Sequence, residues 1–341
     1  YGDNFFFSCG MEVVMANGEI LRTGMGSMPN STSWQVFKWG YGPYLDGIFT
    51  QSNYGIVTKL GMWLMPQPPA FKPFVIRYPN DEDIVTAIET IRPLRIAQII
   101  PNGVVIAHAL WEGGAEVVRS DYYQGEGSIS DEAVERMKTD LGMGAWNIYA
   151  GLYGTEEQNE LNWNIVKGAF EATGALVQDE VEMAGNPTFD YRAKLMKGDM
   201  TLKEFGLYNW RGGGGSSWFA PVAQAKGSEG LLQMQLAKEI LGKYGFDYVA
   251  EYVVGWREVH HIIDLLFDKT NAEETERANQ CFNELLTEFS NRGWGSYRTN
   301  IAFMDKVAET FGPVKRDVNQ RIKQALDPKG IIAPGKSGIY I

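Results

Sequence analysis

Phe246-Asp-Tyr-Val-Ala-Glu-Tyr-Val-Val254 and Glu258-Val-His-His-Ile-Ile-Asp-Leu-Leu-Phe267 decide the fold. Both runs are rich in β-branched and aromatic residues and read as neighbouring strands. Asn271 with Glu274 then begins a helix that stops before Gly293. Upstream, the same alternation recurs. Phe74 to Tyr78, Val104 to Leu110 and Trp146 to Tyr153 read as strands. Helices are expected from Asn80 to about Ile91, from Ser130 to about Leu141, from Thr155 to about Thr173, and from Ser228 to Gly245. This order predicts an α+β layer, an antiparallel or mixed sheet with helices on one side.

The flanks differ. Met11 to Met15 and Ile20 to Arg22 surround Asn17-Gly18, the pair favoured in a type I′ hairpin turn. A further strand pair is expected within Gly55 to Leu64, and Pro66, Pro68 and Pro69 mark a boundary. From Trp294 the tail holds one strand-like piece and a helix from about Val314 to Leu326. The expected organisation is therefore 1–66, 67–293 and 294–341. The opening at Tyr1 already reads as mid-domain strand, as in the C-terminal part of a longer protein.

Composition narrows the function classes. The chain has 341 residues, 44% of them hydrophobic and 13% aromatic, ample for a large core and about two domains. A net charge of −11 does not suit nucleic acid; it would suit a basic protein partner. No run of about 18 apolar residues exists, so no membrane span is expected. Cys9 and Cys281 have no metal spacing and define no disulfide framework. His260 and His261 point to opposite faces of a strand and the third histidine is the remote His108, so no metal site is expected.

Several segments could carry chemistry. Glu204-Phe-Gly-Leu-Tyr-Asn-Trp-Arg-Gly-Gly-Gly-Gly-Ser-Ser-Trp-Phe219 sets four glycines among aromatics and an arginine. Glycines admit close backbone approach, and the neighbours suit a flat or anionic partner; a flexible surface loop is the plainer alternative. Glu204 lies four residues before Tyr208, a spacing that predicts one shared side, with a solvated surface glutamate as the alternative. Strand alternation puts His260, Ile262, Asp264 and Leu266 on one face of Glu258 to Phe267. A histidine and a carboxylate on one face can tune a proton-transfer group or form a satisfied structural pair. Glu251 interrupts an apolar strand, either at an edge or for function. Tyr297-Arg298 falls in an expected short strand; its arginine suits an anionic ring or carboxylate, and equally an ordinary surface. Pro334-Gly-Lys-Ser-Gly338 lacks the full phosphate-loop pattern.

Taken as an ensemble, the chain resembles the vanillyl-alcohol oxidase family of flavoproteins. The segments are Tyr1-Gly2-Asp3, Gly10 to Val14, Ser52 to Thr58, Trp63 to Pro66, Tyr297 to Thr299 and Ile332 to Gly338, in family order. The resemblance implies the C-terminal part of a PP-loop FAD-binding domain plus an α+β substrate cap. The family's pyrophosphate loop would lie upstream. Residues 204–222 are most similar to family members that oxidise 4-alkylphenols and pass electrons to a c-type cytochrome. That similarity implies FAD joined through its 8α-carbon to the Tyr208 oxygen. Oxidases of the family use a histidine a little downstream, where this chain has Ser216, Ser217 and Trp218. The resemblance further implies that Tyr297 and Lys336 bind a phenolate, and that Arg298 stabilises the reduced flavin. It implies that Glu204, Glu251, His260 and Asp264 surround the benzylic carbon. Trp218 would lie toward the electron acceptor, and Gly55, Ile56 and Val57 along the cofactor. The implied activity converts 4-cresol to 4-hydroxybenzyl alcohol and 4-hydroxybenzaldehyde in a periplasmic enzyme, a flavoprotein homodimer joined by cytochrome subunits. The alternative is a phenol oxidase acting on vanillyl alcohol or eugenol-like phenols with O₂.

Overall fold

The structure is a computed structural model that describes residues 4–341; the Tyr1-Gly2-Asp3 segment lies outside the described residues. The chain divides into two compact units, Tyr1–Pro66 with Thr299–Ile341, and Gln67–Arg298.

In the first unit, β1 (Ser8–Val14) pairs antiparallel with β2 (Ile20–Arg22) and β3 (Ile56–Met62), in the order β2-β1-β3. One strand forms after Tyr54, not the expected pair. The hairpin closes through a longer turn than Asn17-Gly18 suggests. Met15 N donates to Glu19 O at 2.9 Å, and only Gly18 takes a positive φ, of 86°. A type I′ turn needs positive φ at both central residues, so this is a three-residue loop with glycine in the left-handed position. The C-terminal tail is tied to the loop at Asn53. Buried Lys323 donates to Asn53 O at 2.7 Å, to Ile332 O at 2.8 Å and to Asp327 at 2.7 Å. Asn53 Nδ2 in turn donates to Ala333 O and Ile339 O, both at 3.0 Å.

The second unit is built on an antiparallel sheet of eight strands: β4 (Ala70–Tyr78), β5 (Val104–His108), β6 (Trp146–Gly154), β7 (Leu176–Asp179), β8 (Gly215–Phe219), β9 (Val222–Gln224), β10 (Ala250–Val254) and β11 (Glu258–Phe267). Its order is β7-β4-β6-β5-β10-β11-β8, with β9 also on β11. The α+β class holds. Helices Ile84–Ile96, Glu156–Glu171, Gly227–Lys243 and Ala272–Asn291 cover one face. The other face is roofed too, which corrects the one-sided expectation. Helices Ala109–Gly114, Asp131–Leu141 and Pro187–Lys197 and a 3₁₀ turn, Lys203–Asn209, lie over it. They are short, so their apolar stripes were hard to read as layers.

Asp247 explains why β10 starts at Ala250 and not at Phe246. Its buried carboxylate accepts from Ile129 N at 2.6 Å, Trp210 Nε1 at 2.9 Å, Arg119 Nε at 3.0 Å and Arg211 at 3.3 Å. A side chain committed to four donors holds the backbone out of the ladder. Residues 294–298 form no strand; a single bridge, Pro221 to Ser296, joins them to the sheet. They belong to the second unit, and the chain crosses to the first at Thr299.

The glycine run has a local cause. Gly212, Gly213 and Gly214 take φ of 77°, 64° and 65°, three left-handed residues in a row. A Cβ on Gly213 would fall 1.8 Å from Asp268 Oδ1, and one on Gly215 would fall 2.4 Å from Phe267 O. The surface that the run approaches closely is thus the end of β11. Trp210 and Arg211 are likewise engaged in the fold, Arg211 also with Glu274 at 2.9 Å. Gly212→Ala, with open space around the new Cβ, is expected to lose only the left-handed cost of about 1–2 kcal/mol. Gly213→Ala is expected to lose clearly more, and equal denaturant midpoints for the two would contradict this account.

Candidate functional site

Antiparallel register sets one face of the sheet. Glu251 stands opposite Ile262 and Ala107, Val253 opposite His260, and Asp264 opposite Trp218. Directly opposed residues share a face, so Glu251, His260, Asp264, Ser216 and Trp218 all project toward the short-helix roof. His261 projects the other way. It stacks on Tyr252 at 4.2 Å and meets the Tyr248 hydroxyl at 2.8 Å, a structural histidine beneath the long helices.

The expected alternation of His260 and Asp264 is present, but the two do not pair. Four residues along a strand span about 13 Å, beyond side-chain reach. His260 instead faces Glu258, two residues away, at 3.8 Å, and that imidazole holds Glu258 down to about 2. Asp264 accepts from Ser216 Oγ at 2.6 Å. Burial nonetheless pushes Asp264 up to about 7, because the Ser216 hydroxyl and the Ser217 backbone N–H do not replace its water. Asp264 Oδ2, Glu251 Oε2 and His260 Nδ1 are buried and have no hydrogen-bond partner. Orphaned polar atoms converging on one face are costly unless a bound group satisfies them.

Tyr297 and Arg298 close this face at one end. The Tyr297 ring meets His260 edge-on at 5.0 Å, and the Arg298 guanidinium lies 5.2 Å from Tyr297 and 5.4 Å from Trp218. Trp218 meets Trp111 edge-on at 5.5 Å. Tyr208 comes from the 3₁₀ turn. Residues three apart eclipse in a 3₁₀ turn, so Tyr208 stacks on Phe205 at 5.5 Å, and the expected shared side with Glu204 gives way to that pairing. Burial and then the Asp264 carboxylate raise the Tyr208 phenol above its usual range.

Glu204 turns inward. Its Oε1 accepts from Trp111 Nε1 at 2.9 Å and from Arg192 at 2.8 Å. Arg192 also donates to Glu112, through NH2 at 2.9 Å and Nε at 3.4 Å. Burial, then Glu204, push the neighbouring Glu251 up to about 8. Trp111, Glu112, Arg192 and Ser216 are members of this face that sequence reasoning missed. Glu112 carries one signal, a carboxylate inside the apolar run Ala109-Leu-Trp111. Arg192 lies 80 residues from Glu112, and nothing local pairs them.

The first unit holds the other candidates, described by itself. Lys336 is exposed within the 3₁₀ turn Lys336–Gly338. Gly55 precedes β3, where Ile56 and Val57 are 55% and 41% exposed, unusual for apolar strand residues. No cluster suited to a metal ion occurs among the described residues, and no helix among them is long and apolar enough to cross a membrane.

Comparisons with known proteins agree on one family. Residues 227–337 match the family described as FAD linked oxidases, C-terminal domain. The chain is 55% identical to the 4-cresol dehydrogenase [hydroxylating] flavoprotein subunit of Pseudomonas putida, across 99% of this chain and 66% of that protein. The structure superposes on p-cresol methylhydroxylase with substrate bound at a TM-score of 0.97 and 55% identity, covering 98% of this chain and 66% of that one. It also superposes on a 4-ethylphenol oxidase from Gulosibacter chungangensis, in an isoeugenol complex, at a TM-score of 0.96 and 33% identity, covering 100% of this chain and 67% of that one. The chain thus spans 66% of the length of the first two relatives.

The raised carboxyls fix a sign for stability against pH. Asp264 and Glu251 titrate near about 7 and about 8 in the fold, against about 3.9 and 4.3 unfolded. Each holds a proton in the folded state that it loses unfolded, so its contribution is full at low pH and drains away as pH rises through the folded value. Asp264→Asn and Glu251→Gln are expected to become more stable relative to the parent between pH about 4 and about 8, by on the order of a few kcal/mol. Urea unfolding across pH measures it; a pH-independent difference would overturn the assignment.

Proposed function

This chain belongs to the FAD-linked oxidase family, and from that membership we propose that it oxidises the benzylic carbon of a 4-alkylphenol. The observation that carries the reading is the convergence of three unpartnered buried polar atoms, on Glu251, His260 and Asp264, beside Tyr297, Arg298 and Tyr208. A flavin and a phenol fit this set. The planar rings find aromatic and guanidinium neighbours, and the orphaned atoms find polar partners.

FAD, when bound, supplies the acceptor for the hydride that leaves the substrate. Tyr208 would hold it through the phenolic oxygen, and Trp218 and Arg298 would flank it. Arg298 is a permanent cation, suited to negative charge on the flavin's pyrimidine side. Tyr297 binds the substrate oxygen as phenolate, whose charge assists loss of hydride from the benzylic carbon attached para to it. The electron-poor carbon left behind takes up water. Asp264, poised near about 7 with Oδ2 unpartnered, accepts the proton from that water. The products for 4-methylphenol are 4-hydroxybenzyl alcohol and, after a second oxidation, 4-hydroxybenzaldehyde. We place electron exit at a c-type cytochrome subunit in the periplasm, with the flavoprotein as a homodimer. A partner subunit is supported by the flavoprotein-subunit designation of the 55% relative.

The expected results are specific. 4-Methylphenol should bleach the flavin of the holoenzyme, and 4-methylanisole, which forms no phenolate, should not; equal rates would sink the mechanism. Tyr208→Phe should leave no flavin fluorescence on the denatured polypeptide. Peroxide release without a cytochrome would assign the chain to the oxidases instead.

A further inference from the structure

One buried cation in the second unit faces more carboxylates than it can neutralise. Arg192 has a side chain only 6% exposed. Its Nε and NH2 edge engages Glu112, which is fully buried, and its NH1 engages Glu204. Tyr191 donates to Glu112 as well, at 3.3 Å. Glu204 receives a second donor from Trp111. Glu251 completes the cluster, and its Oε2 is buried and unpartnered. Burying a charge is costly unless it is paired, so the cluster tolerates few net negative charges. Donors decide where they sit. Glu112 and Glu204 each accept from a guanidinium and from a neutral N–H or O–H, whereas no such donor reaches Glu251 Oε2.

We propose that Arg192 is a positioning residue that clamps Glu112 and Glu204 as fixed carboxylates and so leaves Glu251 as the member of the cluster that carries and exchanges the proton. The groups facing Glu251 come from several elements. They are Glu112 from helix Ala109–Gly114, Arg192 from helix Pro187–Lys197, Glu204 from the 3₁₀ turn, and Tyr297 and Arg298 from the segment after the last helix of the unit. Arg192 and Arg298 favour ionised Glu251; Glu204 and Glu112 oppose it. The inference rests on the reading above only in giving that proton a task, protonation and deprotonation near the substrate's reacting carbon. Helix Pro187–Lys197 serves the clamp by its start. Asn186 caps it by accepting from Thr188 N and Phe189 N, and Pro187 occupies the first turn.

The test is the infrared band of a protonated carboxyl group in the substrate-free protein, identified by its loss in Glu251→Gln and followed against pH. The parent should show the band at neutral pH and lose it near about 8. Arg192→Met removes a neighbouring cation and should move the midpoint up by about 1–3 units, whereas Glu204→Gln should move it down by a similar amount. Arg192→Lys keeps the charge and should lie closer to the parent than Arg192→Met. Should Arg192→Met fail to fold, Arg192→Met with Glu112→Gln removes both members of the buried pair, a change that is often tolerated. That double variant should show a second protonated carboxyl, abolished by further Glu204→Gln. Absence of the band in the parent, or an unchanged midpoint in Arg192→Met, would overturn the proposal. The readout involves no substrate, so it stands or falls apart from the 4-methylphenol test.

Discussion

Arg192 is the only guanidinium that engages both Glu112 and Glu204 among the described residues, and the chemistry of the carboxylate face follows from where its charge is spent. In water, carboxylates a few ångströms apart interact weakly; beneath a roof of short helices they compete for one counter-ion. Glu112 and Glu204 win it through direct hydrogen bonds. Glu251 is left with burial and like charge, the two effects that favour its neutral form. The same logic acts on Asp264, where the donors from Ser216 and Ser217 do not offset burial. Two raised carboxyls on one sheet face are thus consequences of packing, not of residue type.

The sheet is what brings these groups together. Asp264 and Glu251 lie on adjacent strands, Ser216 and Trp218 on the far edge strand, and register alone puts them on one face. Asp247 and the left-handed glycines locate the remaining partner. Asp247 binds Trp210 and Arg211, and the glycines turn the chain straight from there into β8. The 3₁₀ turn that carries Glu204 and Tyr208 is therefore pinned at its downstream end. A glycine run that invites reading as a ligand cradle acts first as a steric solution to a tight reversal.

Much of this was legible in the sequence. Period-2 patterning gave β4, β6 and β11, capping residues gave the helices at Ser130, Thr155 and Asn271, and the face shared by His260 and Asp264 followed from alternation. β7, β8 and β9 were not foreseen, since each is five residues or fewer and all three carry serine, glutamine or glycine where apolar alternation would be the cue. Tyr297-Arg298 was expected in a strand and forms none, the one bridge lying at the preceding Ser296, because a Tyr-Arg dipeptide carries no pairing information beyond itself.

The sequence by itself determined the α+β class, the family and four of the polar residues on the carboxylate face, Glu204, Glu251, His260 and Asp264. Those depend on local pattern and on motifs, which a single chain displays in order. Only the tertiary structure decided which charges meet. Glu112, Arg192, Glu204 and Glu251 are spread over 139 residues, and their protonation depends on distance and desolvation. Those quantities exist only once the roof has closed over the sheet, which is why Arg192 could not be read in advance and why Glu258, not Asp264, is the partner of His260.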